Sequence, residues 1–114
     1  MSAKRILLEI GSGNDLHGGD YTKAAVRAVN DALHHSSLVL LPTFNIDPNT
    51  MMVEVTVGVQ RPEKVDANAV KAALRHGQVK VKAVNGGLDI PNETPGDITV
   101  IATAAIEVHL DLHR

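Results

Sequence analysis

The strictest pattern in this sequence is an alternation of two kinds of residue, which runs from Ile98 to Leu112. Every second position from Ile98 onward is aliphatic, whereas the positions between are mixed and include Thr, Glu, His and Asp. An alternation with a period of two places the aliphatic side chains on one face of a β-strand. Such a strand belongs in a sheet that is covered on one face, and this requirement constrains the fold more than any other feature.

The remaining pattern predicts two helices and three more strands. Alternation indicates these strands at residues 5–10, 51–60 and 78–83. Apolar residues at helical spacing follow Asp20 and Asp66, which are good N-cap residues, and Gly77 suits the end of the second helix. An apolar run over 38–41 and a loop pattern over 42–50 separate the first helix from the second strand.

The element order β-α-β-α-β-β predicts the fold class. Because the strands are apolar on one side only, we expect a mixed or antiparallel four-stranded sheet with both helices on one face. The length of 114 residues fits a single α+β domain over 1–114.

The composition offers few large side chains for the core, which favours the association of subunits. Aromatic residues make up only 2% of the chain, so the core is built from Val, Ile, Leu and Ala. Small side chains bury little area, and subunit contacts can supplement such a core. Met52, Ile101 and Ala105 interrupt the mixed faces of their strands, as partial coverage by neighbouring subunits would require. We therefore expect a homo-oligomer.

Charge, hydropathy and motifs disfavour several classes of protein. The net charge is −2, and no Lys/Arg stripe indicates a nucleic-acid partner. No apolar run approaches the roughly 20 residues that span a bilayer, and no secretory h-region follows Met1, so a cytoplasmic location is expected. The absence of Cys excludes disulfides and a thiol nucleophile. We expect no cofactor.

The segment Gly11–Asp20 contains four glycines and is predicted to form a loop between the first strand and the first helix. Backbone N–H groups at a helix start favour anions. However, the segment has no Walker lysine, and Leu16 occupies the place of the third glycine of GxGxxG. Phosphate or nucleotide binding is therefore disfavoured.

Asp15 and His17 are the candidate catalytic residues of this segment. Histidine can move a proton near neutral pH, and a carboxylate two residues away could orient it. The candidate substrate-binding residues around them are Gly11, Gly13, Asn14, Gly18 and Lys23. In the alternative, structural interpretation, Asp15 forms an Asx turn, His17 packs over the helix start and Lys23 is a solvated surface residue.

A divalent metal site is a further alternative. Asp15 and His17 would then need at least one more ligand from the sheet, such as Glu54, Glu107 or His109. No HExxH motif or His-rich spacing supports this set, so no metal ligand is assigned.

The segment from Gly11 to Gly18 fits the pattern GxGxDxHG, which resembles the signature of a small family of conserved hypothetical proteins. The segments 85–91 and 96–108 also resemble that family, and the resemblance covers essentially the whole chain. It implies that Gly11, Gly13, Asp15, His17 and Gly18 are the best site candidates. It implies no substrate.

The element order is also similar to the chorismate-mutase-like fold, which the reactive-imine deaminase family shares, and to the repeated domains of cyanuric acid hydrolase and barbiturase. This resemblance implies a trimer with ligand clefts between adjacent subunits. No obvious Ser–Lys catalytic pair of those hydrolases is present.

Two functional hypotheses stay open beside the metal alternative. In the first, a small polar metabolite binds at an inter-subunit cleft, and His17 acts as general acid/base in hydrolysis, deamination or proton transfer on a carbonyl, imine or amide. In this hypothesis the amides of the glycines, with Lys23, hold an oxygen of the substrate. In the second, the chain is a non-catalytic oligomeric binding or assembly module.

Overall fold

The computed structural model describes residues 4–34, 50–74 and 77–110. Their elements, in chain order, are β1 (Lys4–Asp15), α1 (Tyr21–His34), β2 (Met52–Val59), a 3-10 turn (Pro62–Lys64), α2 (Ala67–Lys71), β3 (Gln78–Asn85), β4 (Leu88–Pro91) and β5 (Ile98–Leu110). The predicted α+β class and order are confirmed, and the short β4 adds a fifth strand. The apolar run 38–41 and most of the loop 42–50 lie outside the described residues.

The sheet is mixed, and β5 is its central strand. The strand order is β1-β5-β2-β3, with β5 antiparallel to β1 and β2, and with β2 parallel to β3. The short β4 pairs antiparallel with the start of β5, from Leu88 opposite Ile101 to Pro91 opposite Ile98. Because β1 already occupies one edge of β5 there, β4 lies on the same side as β2.

Both helices pack on one face of the sheet, as expected. The aliphatic positions of β5 between Val100 and Val108 are buried beneath α1, together with the valines of β2. Val70 of α2 joins the same core. Asp20 caps α1 with a bond from the Lys23 N–H to Oδ1 (3.0 Å), and Asp66 caps α2.

The interface between β1 and α1 is unusually close. A Cβ on Gly11 would lie 2.3 Å from the backbone nitrogen of Ala32, and one on Gly13 would lie 2.3 Å from that of Ala28. Only glycine allows this approach, and the buried alanines of α1 complete it. The glycine-rich segment is therefore not all loop: β1 continues to Asp15, and the connection is limited to residues 16–20.

The opposite face of the sheet, here called the open face, is not packed against either described helix. It carries the alternate residues of each strand, including Leu8, Ile10, Met52, Thr99 and Ile101. Ile10 is 68% exposed, which is high for so large an apolar side chain. Neither described helix is long and apolar enough to cross a membrane.

Candidate functional site

His17 lies in the short connection between β1 and α1, and its partner is Asp97, just before β5. The Nδ1 of His17 is 2.8 Å from Oδ2 of Asp97. The same carboxylate accepts a bond from the Gly18 N–H at Oδ1 (2.9 Å) and from the side chain of Asn92 at Oδ2 (3.0 Å). We call His17, Asn92, Asp97 and Thr99 the His17 cluster.

The hydrogen bonds to Asp97 determine its protonation state. The Gly18 N–H is the strongest influence, followed by His17 and Asn92, and together they lower the pKa of Asp97 from 3.8 to about 2. Asp97 is thus a carboxylate at neutral pH. A carboxylate only accepts hydrogen bonds, so it favours the form of His17 that carries a proton on Nδ1.

The loop that carries His17 is held in place by its main chain. The carbonyl of Leu16 accepts bonds from Asn92 Nδ2 (3.0 Å) and from the Thr99 hydroxyl (2.8 Å). Asn92 in turn donates its backbone N–H to the carbonyl of Asp97 (2.9 Å). These bonds join the loop to β5, so the position of His17 does not depend on its own side-chain contact alone.

The imidazole of His17 is available to a ligand. Its side chain is 78% exposed, whereas that of Asp97 is 21% exposed. Since Nδ1 faces the carboxylate, Nε2 is the nitrogen left to exchange a proton with another molecule. The arrangement can therefore act as a general base that the carboxylate orients.

Asp15 lies close to this site but has a different partner. It is buried, and its Oδ2 accepts a bond from the Asp20 N–H (2.9 Å). Arg27 places Nη1 3.8 Å from Oδ1 of Asp15 and donates to the carbonyl of Asn14 (2.8 Å). Asp15 therefore binds an amide at the end of the loop, five residues on and not two as in the Asx turn of the structural interpretation, and the carboxylate that contacts His17 is that of Asp97.

The other candidate residues occupy contrasting positions. Gly11 and Gly13 are buried strand residues that contact α1. Gly18 has a φ of +98°, which favours glycine, and its N–H is bonded to Asp97. The side chains of Asn14 and Lys23 are exposed, on β1 and in the first turn of α1.

The ligand set Asp15, His17 and a sheet residue is not assembled. Asp15 pairs with Val100, and Glu107 lies seven residues further along β5, about 23 Å away at the rise of a strand. Glu54 and His109 are neighbours of Glu107 and are equally remote from the loop.

The sequence pattern did not identify Asn92, Asp97 and Thr99 as functional. They follow or flank a turn signal, Thr94-Pro95-Gly96, and polar residues beside a turn ordinarily need no further role. The available signal was the resemblance of the segment that begins at Gly96 and Asp97 to the conserved hypothetical family.

Another polar pair, which is partly buried, lies beneath the start of α1. The hydroxyl of Tyr21 donates to Oδ2 of Asp89 on β4. Burial, and then the bond to Asp89, raise the pKa of Tyr21 above its ordinary value of 10.0. The other oxygen of Asp89, Oδ1, is buried without a hydrogen-bond partner among the described residues.

Comparisons with known proteins agree with the resemblance noted in the sequence. Residues 5–108 match the model of a family described as "Conserved hypothetical protein (Lin0512_fam)", and the GxGxDxHG segment lies within that range. The chain is also similar to an FtsZ-like protein of unknown function from Nostoc punctiforme PCC 73102, whose crystal structure is known. The two sequences are 34% identical, the match covers 97% of this chain and 98% of the other, and the structures superpose with a TM-score of 0.85. The search of curated proteins found no match.

Proposed function

We propose that this chain, which belongs to the conserved hypothetical protein family Lin0512_fam, binds a small polar metabolite at the His17 cluster and transfers a proton through His17. The observation that carries the proposal is the pairing of an exposed imidazole with an ionised carboxylate, Asp97, at 2.8 Å. An oriented histidine is the commonest general acid/base in proteins.

The proposed mechanism uses the two nitrogens of His17 differently. Nδ1 keeps its hydrogen bond to Asp97 while Nε2 removes a proton from the substrate, or from a water molecule that attacks it. The carboxylate stabilises the imidazolium that forms, and Nε2 returns the proton to the product. Suitable substrates are carbonyl, imine or amide compounds, in which proton transfer at the neighbouring carbon or at the leaving nitrogen limits the reaction.

Among the candidate substrate-binding residues, those with exposed side chains are the ones that can contact a substrate. Gly11 and Gly13 are assigned to helix packing, and the N–H of Gly18 is bonded to Asp97. Lys23 and Asn14 remain as exposed polar side chains on either side of the loop. In this proposal Lys23 attracts an anionic group of the substrate.

A neighbouring subunit completes the cleft in this proposal. Leu16, adjacent to His17, is 59% exposed, and Leu88 and Ile90 of β4 are exposed on the open face beside β5. Apolar side chains exposed next to a polar site are typical of surfaces that another protein covers. A trimer would exclude water from His17 without requiring a deep pocket in one chain.

The same exposed side chains also favour the second candidate function, a non-catalytic assembly module. In that case Leu16, Leu88 and Ile90 bind a sister subunit, and the His17 cluster only holds the loop that presents Leu16. Light scattering after size exclusion tests assembly in both cases. A particle of three times the chain mass of 12.1 kDa is expected, and a monomer at micromolar concentration contradicts the subunit contacts.

Proton transfer is tested with a panel of carbonyl, imine and amide metabolites in D2O, followed by proton NMR for isotope exchange and by ammonia release. His17→Ala should slow the reaction at least about 100-fold, the lower limit for loss of a general base, and Asp97→Asn should slow it less. His34→Ala, at the far end of α1, is the matched control and should retain the wild-type rate. Equal rates for wild type and His17→Ala would contradict the catalytic proposal. A trimer that turns over no compound of the panel would contradict it too, and would support the assembly module.

A further inference from the structure

Three side chains of the types that ligate metal ions meet on the open face, far from the His17 cluster. Glu107 and His109 are two residues apart on β5, so they share a face, and Glu54 of β2 pairs with Glu107. The Nε2 of His109 lies 3.9 Å from Oε2 of Glu54 and 3.9 Å from Oε1 of Glu107. One ligand atom from each residue falls within 4.8 Å of the others.

The imidazole nitrogen of His109 lacks a partner. Its Nε2 is buried and accepts or donates no hydrogen bond within the described part of the chain, although the whole side chain is 22% exposed. Both carboxylate oxygens are too distant at 3.9 Å for a hydrogen bond. A buried polar atom left unpaired in this way is rare and indicates an additional partner. Here the atom lies between two carboxylates, so the additional partner that fits best is a cation bound by all three side chains.

The geometry needs little change to accept an ion. Ligand bonds of about 2.0–2.2 Å put two donor atoms of one tetrahedral ion about 3.3 Å apart. The distances from His109 to the two carboxylates would therefore shorten by roughly 0.6 Å. The ligand oxygens of Glu54 and Glu107, which lie within 4.8 Å of each other, would also have to approach. Glu54 can supply this movement because half of its side chain is exposed, while the strands stay in register.

Lys80 of β3 pairs with Glu54 in the sheet, and a second basic residue beside the cluster is Arg5. Its Nη1 lies 3.2 Å from Oε1 of Glu107, so one positive charge already faces the cluster. This Oε1 is also the oxygen that lies 3.9 Å from His109, so a cation would share it with Arg5, whose charge weakens cation binding. We expect an affinity below that of a closed structural zinc site.

From these contacts we infer that Glu54, Glu107 and His109 form a binding site for one borderline divalent cation, of which Zn²⁺ is the representative. An imidazole with two carboxylates suits Zn²⁺, Co²⁺ or Ni²⁺, whereas Mg²⁺ and Ca²⁺ prefer oxygen ligands only. With three protein ligands and an exposed Glu54, the ion would keep a coordination position open to solvent or to a ligand.

Calorimetric titration of the tag-free 114-residue chain with Zn²⁺ tests the site, and ¹⁵N NMR of the histidine rings identifies the ligand. One equivalent should bind, and the Nε2 resonance of His109 should shift. His109→Ala, Glu54→Gln and Glu107→Gln should each weaken binding at least about tenfold, the smallest loss seen when even an outer partner of a metal ligand is removed. Circular dichroism confirms that the variants fold.

His17→Ala and His34→Ala are matched controls, because each removes a histidine outside the cluster. Both should bind Zn²⁺ as the wild type does. Equal affinity of wild type and His109→Ala, a loss in the controls as large as in His109→Ala, or no binding at millimolar Zn²⁺ would each overturn the inference. A tenfold excess of Mg²⁺ should not displace Zn²⁺, and displacement by that excess would also contradict the ligand assignment.

Discussion

The Nδ1 atom of His17 lies 2.8 Å from Oδ2 of Asp97, although 80 positions separate the two residues in the sequence. The pairing depends on Gly18, whose N–H binds the other oxygen of the same carboxylate. One acidic side chain therefore holds both the imidazole and the backbone beside it. This relationship orients the histidine relative to its own loop.

The first prediction concerns the tautomer of His17. Because ionised Asp97 only accepts hydrogen bonds, the neutral imidazole should carry its proton on Nδ1. The ¹⁵N chemical shifts of the ring above neutral pH measure this directly. In Asp97→Asn the preference should weaken, because an amide can also donate. A wild-type ring protonated mainly on Nε2 would contradict the pairing.

The second prediction concerns acid stability. Hydrogen bonds from Gly18, His17 and Asn92 lower the pKa of Asp97 to about 2 in the folded chain, against 3.8 for an unperturbed carboxyl. A depressed folded pKa stabilises the protein above about pH 4, and this contribution is lost as the pH falls from 4 towards 2. The stability measured by urea unfolding should fall less steeply over this range in Asp97→Asn than in the wild type. Glu93→Gln, an exposed residue of the same turn, should keep the wild-type slope.

The third prediction tests the contact between Gly13 and α1. Gly13→Ala should lower the free energy of unfolding by ~3 kcal/mol, the upper range for overpacking, because its Cβ would overlap the helix backbone. Adding Ala28→Gly should not restore stability, since the overlap is with the Ala28 nitrogen and not with its side chain. Ser12→Ala, the neighbouring position on the open face, should cost much less. Chemical denaturation measures all three, and stability equal to wild type in Gly13→Ala would contradict the packing.

The sequence alone predicts those parts of the fold that depend on local spacing. The alternation after Ile98 identifies β5, and the caps at Asp20 and Asp66 mark where the helices begin. Each signal comes from residues close together in the chain. The core face of β5 follows from the same alternation.

Features that depend on long-range contacts were not predicted. Gly11 and Gly13 are typical of a loop in isolation, and only the approach of α1 explains why a strand contains them. The four residues of β4 are too few for a periodic signal, and they pair with β5 across a turn. Asp97 became a site residue only because the fold brings it to His17.

The fourth prediction concerns Asp15. Asp15→Ala should destabilise the protein by ~1–3 kcal/mol, because the Asp20 N–H would lose its acceptor near the start of α1. Asp15→Asn keeps an oxygen at that position and should cost less. Thermal unfolding of the two variants gives the order. If Asp15→Ala is as stable as Asp15→Asn, the bond to Asp20 does not hold the loop.

The last prediction concerns Tyr21, the only tyrosine of the chain. Burial and the bond to Asp89 raise its pKa above 10.0 in the folded state. Between pH 10 and the folded pKa, the unfolded chain has lost the phenolic proton while the folded chain retains it. The unfolded state therefore binds fewer protons, and stability must fall as the pH rises through this range.

Because no other tyrosine contributes, the ultraviolet absorbance of the phenolate reports this one group. It should titrate above pH 10 in the folded protein and near pH 10 in urea. Tyr21→Phe should lack the corresponding alkaline loss of stability, but below pH 10 it should be ~1–3 kcal/mol less stable, because Asp89 on β4 would keep a buried oxygen without its donor. A phenolate signal at the same pH in both states, or parallel alkaline curves for wild type and Tyr21→Phe, would contradict the bond that joins α1 to β4.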